Sequence, residues 1–253
     1  MIIAVTNQKG GVGKSTTSIN LAAGLALKGY KTLLVDLDPQ GNTTRVFIPE
    51  SDEVPIEETL YNVLLNFYPL SNIIKETNTD NLFLAPSHIR LSGFDLELSQ
   101  AFDNRSDRLK GALSPFDDQY DYIIIDTPPS LGLLTINALT ASEKLVIPVS
   151  TGFFALTGLV QLQEAFQMVK QTKLNERLDI LGVLCTFTER TNVSRDVEGQ
   201  LREYFGELIF QTTIPKNISL EEAHSNHTHV FDYAPHSKGS QSYQALVKEV
   251  LKR

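Results

Sequence analysis

The sequence predicts a doubly wound α/β fold, in which a mostly parallel sheet carries helices on both faces. Short apolar runs alternate with segments whose apolar residues recur at helical spacing, which is the pattern of repeated βαβ units. One run, Ile123-Ile124-Ile125, is apolar without alternation, as expected for a central strand buried on both faces. The 253 residues, 42% of them hydrophobic, can bury one substantial core, and no linker or repeat divides the chain. We therefore expect a single domain spanning residues 1–253.

The predicted elements begin with a strand at residues 2–5, followed by a glycine-rich loop and a helix over residues 15–28. Further strands are predicted at residues 32–36, 82–85, 122–126, 144–149, 180–186 and 208–210. Further helices are predicted near residues 57–66 and at residues 131–139, 156–169, 193–204 and 243–251. An acidic, turn-rich stretch over residues 49–55 is expected to form an exposed loop.

The composition argues against a membrane-spanning or secreted protein. No apolar run approaches the roughly 18 residues of a membrane span, and the first residues lack a basic-then-apolar signal pattern. The single cysteine, Cys185, excludes an internal disulfide and fits a reducing cytoplasm. Because Cys185 sits in an apolar segment, we expect a buried structural thiol.

The charge distribution leaves DNA open as a partner. A net charge of −8 argues at first against nucleic acid. The whole net negative charge lies in residues 1–169, which carry 11 basic and 19 acidic residues, whereas residues 170–253 carry 11 of each. A local basic patch in the C-terminal part is therefore compatible with the composition, since nonspecific DNA binding needs only a handful of phosphate contacts.

The loop from Gln8 to Thr16 is a variant of the phosphate-binding P-loop. The usual pattern is G-x-x-x-x-G-K-[ST], but here Gln8 replaces the first glycine and an additional lysine, Lys9, precedes a glycine pair. Lys14 is expected to reach the β- and γ-phosphates, and the Ser15 hydroxyl to bind Mg²⁺. The backbone amides form a nest for phosphate oxygens at a helix N-terminus. The expected nucleotide-binding residues of the loop are Gly10, Gly11, Val12, Gly13, Lys14, Ser15 and Thr16.

Carboxylates follow two of the predicted strands. Asp36 and Asp38 come directly after an apolar run, and Asp126 ends the run at residues 123–125. Because ligands bind outside the carboxyl ends of the strands in such folds, these acids are expected beside the P-loop. Asp126 is then placed to hold Mg²⁺ directly or through its water. Without a P-loop nearby, each acid could equally be a helix cap or a turn residue.

The sequence resembles the ParA/MinD family of deviant-Walker ATPases, whose signature loop is K-G-G-x-G-K-[ST] with the additional lysine. The resemblance is closest to the small, Soj-type ParA partition ATPases and runs almost end to end. The other matching stretches are Asp36-Leu37-Asp38-Pro39-Gln40-Gly41-Asn42, Ile123-Ile124-Ile125-Asp126-Thr127-Pro128-Pro129-Ser130, Arg190-Thr191-Asn192 and Ile214-Pro215-Lys216-Asn217. The resemblance implies an ATP hydrolase with ATP and Mg²⁺ as its cofactors.

The resemblance also implies roles for individual residues. Lys9 would cross to the ATP of a second subunit, so that an ATP-bound homodimer sandwiches both nucleotides. Asp38 is the family's candidate for orienting the attacking water, with Asp36 as the less certain member of the pair. The implied catalytic residues are Lys9, Asp38 and Lys14. The implied metal set is Ser15, Asp38 and Asp126. The residues implied to border the adenine are Thr186, Pro215 and Asn217.

A nonspecific DNA partner is implied as well. Arg190 matches a family segment whose arginine contacts DNA, and Arg195 and Arg202 follow it at helical spacing. Arg195 and Arg202 could equally form salt bridges with Glu198 on a solvated helix face.

The implied biological role is partition of a plasmid or chromosome by a cytoplasmic, nucleoid-associated protein. A cargo adaptor, either ParB-like or an organelle adaptor, would stimulate hydrolysis. Positioning of a protein organelle such as a carboxysome is the main alternative. A MinD-like membrane-bound division regulator and an ATP-dependent biosynthetic synthetase are lesser ones. The cargo itself leaves no motif in the sequence.

Two features lie outside these motifs. His224, His227 and His229 fall within six residues, but without Cys or Asp at ligand spacing they predict a polar surface loop rather than a metal site. The tail over residues 245–253 is amphipathic with basic ends, and we expect it to pack against the body rather than on a membrane.

Overall fold

The computed structural model describes residues 1–50, 54–99, 105–152 and 157–253. Within these ranges the strands are β1 Ile2–Val5, β2 Thr32–Asp36, β3 Lys75–Glu76, β4 Leu82–Ala85, β5 Tyr122–Asp126, β6 Lys144–Ser150, β7 Asp179–Thr188 and β8 Ile214–Pro215. The helices are α1 Lys14–Ala26, α2 Asn42–Phe47, α3 Leu60–Asn66, α4 Phe94–Glu97, α5 Arg108–Leu113, α6 Leu133–Ala141, α7 Thr157–Gln171, α8 Asn192–Phe205, α9 Ile218–Ser225, α10 Val230–Tyr233 and α11 Lys238–Val250. Part of the expected loop at residues 49–55, and the first residue of the helix expected at residues 156–169, lie outside the described ranges.

The strands form one sheet in the order β3-β4-β2-β5-β1-β6-β7-β8. Every pairing is parallel except that of β3 with β4. The first strand therefore lies inside the sheet, between β5 and β6. Because β1, β2 and β5 run parallel, the loop after β1 and the carboxyl ends of β2 and β5 lie at the same edge of the sheet.

Two apolar layers cover the two faces of the sheet, as the doubly wound prediction requires. Alternate residues of one strand show this, since Ile123 and Ile125 belong to one layer and Ile124 to the other. Helices α1 and α11 pack on the face of Ile124, and α3, α5, α6 and α8 pack on the opposite face. The fold class predicted from the sequence is confirmed.

The strand predicted at residues 208–210 is wrong. Residues Gly206–Leu208 form a 3₁₀ turn, and Ile209 makes only an isolated bridge with Val183. The physical reason is that the Arg253 guanidinium donates to the carbonyls of Leu208 and Ile209, at 3.3 and 3.0 Å, where a strand partner would otherwise bind. The eighth strand is Ile214–Pro215 instead.

The C-terminal helix packs against the body, as expected. Tyr243, Leu246, Val247 and Val250 of α11 are buried, and the Tyr243 hydroxyl lies 3.1 Å from the Thr17 hydroxyl of α1. No helix in the described part of the chain is long and apolar enough to cross a membrane. The thiol of Cys185 is buried, and this burial raises its pKa to about 12.

The prediction that the histidines form a surface loop is wrong for two of the three. His229 is fully buried, with its Nε2 3.1 Å from the Thr79 hydroxyl. His224 lies in α9 and is partly exposed as a residue, but its Nε2 is buried and has no hydrogen-bond partner among the described residues. No cluster of metal-ligating side chains occurs in the described ranges. His229 links the start of α10 to Thr79, since its Nδ1 accepts the Asp232 amide at 3.3 Å.

These histidines are expected to make folding stability pH-dependent. Burial lowers the pKa of His224 to about 4, and it also lowers the pKa of His229. The unfolded chain binds protons below its ordinary histidine pKa of about 6.5, which the native His224 does not. The His224 contribution to folding stability is therefore fully present above pH 6.5 and is lost as the pH falls toward 4. We expect the His224 contribution to change by about 2 kcal/mol between about pH 7 and 5.

Urea unfolding at both pH values checks this expectation for the parent and for His224→Leu. The variant should lose less stability on acidification than the parent does. His236→Leu is the matched control, because His236 is already exposed in the native state. Equal acid sensitivity of His224→Leu and the parent would contradict the assignment.

Candidate active site

The loop after β1 has the backbone shape of a phosphate nest. Gly11 and Gly13 have φ values of +70° and +83°, a left-handed conformation that residues with a Cβ rarely adopt. Gly13 is the N-cap of α1 and supplies no side-chain cap, so the first amides of the helix remain available to a ligand. The loop therefore presents backbone N–H groups and the positive end of the helix dipole together.

Lys14 lies within this loop rather than extending into solvent. It is buried, and its Nζ donates to the Lys9 carbonyl oxygen at 3.2 Å. Burial lowers the pKa of Lys14, while the negative charges of Asp126 and Asp38 oppose this shift. The ammonium group is thus held beside two carboxylates at the mouth of the loop.

Asp126 ends β5 and is fully buried. The Thr43 hydroxyl donates to its Oδ2 at 2.7 Å, and the Ser18 hydroxyl donates to its Oδ1 at 3.1 Å. Burial raises the pKa of Asp126 to about 6, and hydrogen bonds from Thr43, Ser15 and Ser18 oppose the rise. The candidate ligand atoms here are all oxygens, and they include one buried carboxylate whose negative charge a cation would stabilise. Such a set of ligands fits Mg²⁺.

Asp36 is a support for the neighbouring loop rather than a free acid. Its Oδ2 accepts hydrogen bonds from both the amide and the hydroxyl of Thr44, each at 2.7 Å. Its Oδ1 accepts the amide of Asp38 at 3.2 Å. The side chain is fully buried, and burial together with the charge of Asp126 raises its pKa well above the usual range. Every oxygen of Asp36 is therefore engaged inside the protein.

Asp38 sits in the turn between β2 and α2. Its carbonyl accepts the Gly41 amide at 2.9 Å, and its Oδ1 accepts the Gln40 amide at 2.9 Å. No hydrogen bond reaches its Oδ2 from within the described residues. Burial raises the pKa of Asp38, and the Lys14 charge opposes this shift. The carboxylate is therefore oriented through one oxygen while the other remains free to bind a ligand or a water.

The residues expected near the adenine lie at the ends of β7 and β8. The Thr186 hydroxyl donates to the carbonyl of Val12 in the P-loop at 2.9 Å, and Thr186 and Ile214 are register partners. Pro215 belongs to β8. The Asn217 side chain accepts the Ser219 amide at 3.0 Å and so caps α9. Thr186 is thus joined directly to the P-loop, whereas the side-chain oxygen of Asn217 already has a structural partner.

Lys9 is placed differently from Lys14. Its amide donates to the Asn7 side chain at 3.0 Å, and Asn7 is anchored in turn by a 2.8 Å bond to the Pro148 carbonyl. The Lys9 side chain is partly exposed and forms no ion pair with another described residue. The main chain of Lys9 is therefore held in place, while its side-chain ammonium group remains available to a ligand or a partner molecule.

The three arginines expected to bind DNA are not equivalent. Arg190 is exposed and follows β7. Arg195 is exposed and donates to the Asn192 side chain at 3.2 Å. Arg202 makes two hydrogen bonds to Glu198, at 3.0 and 2.8 Å, and so adopts the salt-bridge alternative. Arg190 and Arg195 are thus exposed, whereas Arg202 is partly buried and held by Glu198.

Several hydroxyl residues around the acids were missed from the sequence. Thr43 and Thr44 contact Asp126 and Asp36, Ser18 contacts Asp126, and Ser87 donates to the Asp38 carbonyl at 2.6 Å. A signal existed, because Ser87 comes just after the end of the predicted strand at residues 82–85, at the same sheet edge. Hydroxyl groups have no periodic pattern, however, and their partners are distant in sequence.

A parallel sheet with a P-loop between β1 and α1, and buried acids at the ends of β2 and β5, defines a P-loop nucleotide-binding protein. A family model described as an AAA domain matches residues 1–180. Soj of Bacillus subtilis, a sporulation initiation inhibitor protein, is 48% identical, with 98% of this chain and 97% of that protein covered. The chromosome partitioning protein ParA of Myxococcus xanthus is 44% identical, with 100% and 88% covered. The chain belongs to the Soj/ParA family of chromosome-partitioning ATPases.

The solved structures agree with this fold. Cobyrinic acid a,c-diamide synthase from Mycobacterium smegmatis, with bound ADP and magnesium, has a TM-score of 0.85 and 34% identity. The match covers 99% of this chain and 94% of that one. The nucleotide and metal in that structure agree with the cofactor prediction of ATP and Mg²⁺.

Proposed function

We propose that the protein is a Mg²⁺-dependent ATPase that forms an ATP-bound dimer, binds DNA nonspecifically and segregates a chromosome or plasmid. The observation that carries the proposal is the contrast between two loop lysines. Lys14 is buried against its own loop, whereas Lys9 has a fixed backbone and a partly exposed side chain without an ion pair in the described ranges. A cation so placed is suited to neutralise phosphate charge on a partner molecule.

Each part of the site has a chemical task in this proposal. The glycine amides and Lys14 bind the phosphates, and Ser15 and Asp126 hold Mg²⁺, whose charge neutralises phosphate oxygens. The free oxygen of Asp38 orients the attacking water, and Asp38 also couples the metal to its own turn. Thr186, Pro215 and Asn217 would border the base at the end of β7. Lys9 supplies positive charge in trans while the γ-phosphoryl group passes from ADP, the leaving group, to water.

The dimer and its nucleotide dependence are directly testable. Light scattering of the full chain with MgATP, with MgADP and without nucleotide should show a dimer only with ATP. DNA retention measured on the same samples should follow the dimer. A monomer that binds DNA equally well in all three states would overturn the proposed switch.

Arg190 is proposed as a phosphate contact on DNA. Arg190→Glu should weaken DNA binding similarly for all sequences and reduce the salt slope of the affinity by roughly one to two units. ATP binding and the ATP-dependent dimer should be unchanged. Filter binding over a series of salt concentrations measures both effects.

Arg177→Glu is the matched control, since Arg177 is an exposed arginine just before β7, whereas Arg190 lies just after it. This control should retain the parental DNA affinity. If Arg190→Glu binds DNA as the parent does, the DNA surface lies elsewhere.

The cargo is proposed to be DNA, through an adaptor that stimulates hydrolysis and releases the dimer from the nucleoid. ParB-like adaptors and organelle adaptors are distinguished by adding each purified candidate and measuring ATP turnover in the presence of DNA. Stimulation by an organelle adaptor alone would replace partition by organelle positioning within the same ATPase design.

One solved neighbour favours a second candidate, a synthetase that activates a carboxylate. That neighbour is the diamide synthase with 34% identity over nearly the whole chain. The relatives with 44–48% identity are Soj and ParA proteins, which makes partition the first choice. ATP turnover that requires an added carboxylate substrate and an amide donor, and that ignores DNA, would decide for the synthetase.

A further inference from the structure

A buried chain of hydrogen bonds connects the loop after β4 with the Asp38 turn. The Ser87 hydroxyl donates to the Asp38 carbonyl oxygen at 2.6 Å, and the Ser87 amide donates to the Thr44 hydroxyl at 2.9 Å. The Thr44 hydroxyl donates in turn to Asp36 Oδ2 at 2.7 Å. All four residues are buried, with exposed fractions of 6% for Ser87, 5% for Asp38, 2% for Thr44 and 0% for Asp36. Every donor in this chain of hydrogen bonds has an acceptor, so the direction of each hydrogen bond is defined.

We propose that Ser87 is a positioning residue for hydrolysis, which acts by holding the Asp38 turn so that the Asp38 carboxylate points correctly. The inference rests on the proposed function, because it takes Asp38 as the group that orients the attacking water. Ser87 itself does not touch the reacting atoms in this account.

The Asp38 turn is tied to other strands at two points, Leu37 and Asp38 itself. The other hydrogen bonds of Asp38 come from within its own segment, namely the amides of Gln40 and Gly41 to Asp38 and the amide of Asp38 to Asp36. Those bonds define the shape of the turn, and the Leu37 amide, which donates to the Asp126 carbonyl at 2.9 Å, ties the residue before Asp38 to β5. Ser87, which lies just after β4, donates a hydrogen bond from its side chain to the Asp38 main chain.

The same chain explains why Asp36 is buried so close to the site. Its Oδ2 holds Thr44 in α2, and Thr44 holds the Ser87 amide. Ser87 is therefore fixed at its amide and at its hydroxyl, and it bridges α2 and the Asp38 turn. Losing the hydroxyl breaks the bond to the turn while the amide bond remains.

The expected consequence is a defect in rate rather than in binding. A small misplacement of a group that orients a reactant costs up to about 10²-fold in rate. Ser87→Ala should lower the single-turnover rate of MgATP hydrolysis by about 10-fold or more. ATP affinity should stay within about 2-fold of the parent, since Lys14, Ser15, Asp126 and the loop amides are untouched. Ser87→Thr, which keeps the hydroxyl, should recover most of the rate.

Ser142→Ala is the matched control. The Ser142 side chain is also buried, at 1% exposed, and its hydroxyl also donates to a main-chain carbonyl, that of Ala138, at 2.7 Å. It lies between α6 and β6, at the sheet edge opposite the P-loop. A general loss of stability from a buried serine hydroxyl would affect both variants, whereas a positioning role affects only Ser87→Ala.

A double-mutant cycle with Asp38→Ala closes the test. If Ser87 acts through Asp38, Ser87→Ala should have no further effect on the residual rate of Asp38→Ala. Parental turnover of Asp38→Ala would overturn the proposed role of Asp38, and with it this inference. A slow Asp38→Ala protein combined with a fast Ser87→Ala protein would overturn the Ser87 assignment alone. Additive effects of the two changes would also overturn it, because they would place Ser87 on a separate path.

Thermal unfolding would reveal a Ser87→Ala protein that fails to fold. In that case the role of the hydroxyl is tested by comparing the single-turnover hydrolysis rate of Ser87→Thr with that of the parent. A Ser87→Thr protein that is stable but as slow as Asp38→Ala would contradict the role of the hydroxyl.

Discussion

Replacing Lys14 by alanine is expected to abolish nucleotide binding. Lys14 is the buried cation of the loop, and its ammonium group lies against the loop carbonyl of Lys9 and near Asp126 and Asp38. Without it the site keeps its carboxylates and loses the side chain that offsets the phosphate charge. Titration with a fluorescent ATP analogue in the presence of Mg²⁺ measures the loss.

Lys9→Ala is the informative partner of that experiment. The Lys9 side chain forms no ion pair with another described residue, and the hydrogen bond that its main-chain carbonyl accepts from Lys14 survives the change. Much of the ATP affinity of the monomer should therefore remain, while the ATP-dependent dimer and its hydrolysis are lost. If both variants fail equally to bind ATP, Lys9 acts within its own subunit and the trans assignment is wrong.

Asp38→Ala is expected to stall the protein as an ATP-loaded dimer on DNA. The change removes the carboxylate proposed to orient the attacking water. It leaves intact the groups proposed to bind MgATP (Lys14, Ser15, Asp126 and the loop amides) and the Lys9 side chain proposed to reach the partner. Turnover should fall by about 10²-fold or more, as for the loss of a general acid–base or positioning group. Light scattering and ATP turnover on one sample measure both properties.

Asp36→Ala separates this result from simple damage to the loop. Asp36 accepts three hydrogen bonds from Thr44 and Asp38, so its loss should lower the stability of the fold as well as the rate. Asp38→Ala should instead unfold near the parental temperature. A monomeric Asp38→Ala protein, or one with parental turnover, would place the catalytic carboxylate elsewhere, with Asp36 as the next candidate.

The sequence predicted the centre of the sheet better than its edges. Strands β1, β2, β4 and β5 have the predicted bounds, because buried parallel strands are continuous apolar runs bounded by turns. The two-residue strands β3 and β8 are too short to show any period, and β3 was not predicted. Short helices such as α2 and α10 were missed for the same reason.

One error had a different origin. Residues 208–210 have the apolar composition of a strand, and Phe210 is indeed buried. Their carbonyls, however, are bound by the side chain of Arg253, which is more than 40 residues away in sequence. Composition predicted the burial correctly, but it could not predict which donor would satisfy the main chain.

The site was predictable where a motif fixes the chemistry, and not where the chain must fold to bring partners together. The P-loop and the positions of Asp38 and Asp126 at one sheet edge followed from the sequence. The hydroxyl groups of Thr43, Thr44 and Ser87 did not, because their roles depend on contacts between separate strand ends. For Arg202 the sequence left two interpretations open, because helical spacing allowed both a DNA contact and the ion pair with Glu198 that the structure shows.

The cluster of three buried acids has a consequence for the lifetime of the protein in the cell. Burial raises the pKa values of Asp36, Asp38 and Asp126, so ionising these groups costs the folded state more free energy than it costs the unfolded chain. A ligand that binds only the native state offsets this cost by mass action. Proteases that cleave transiently opened chains are therefore expected to degrade the nucleotide-free form faster than the nucleotide-bound form. We therefore expect a bound nucleotide to lengthen the lifetime of the chain.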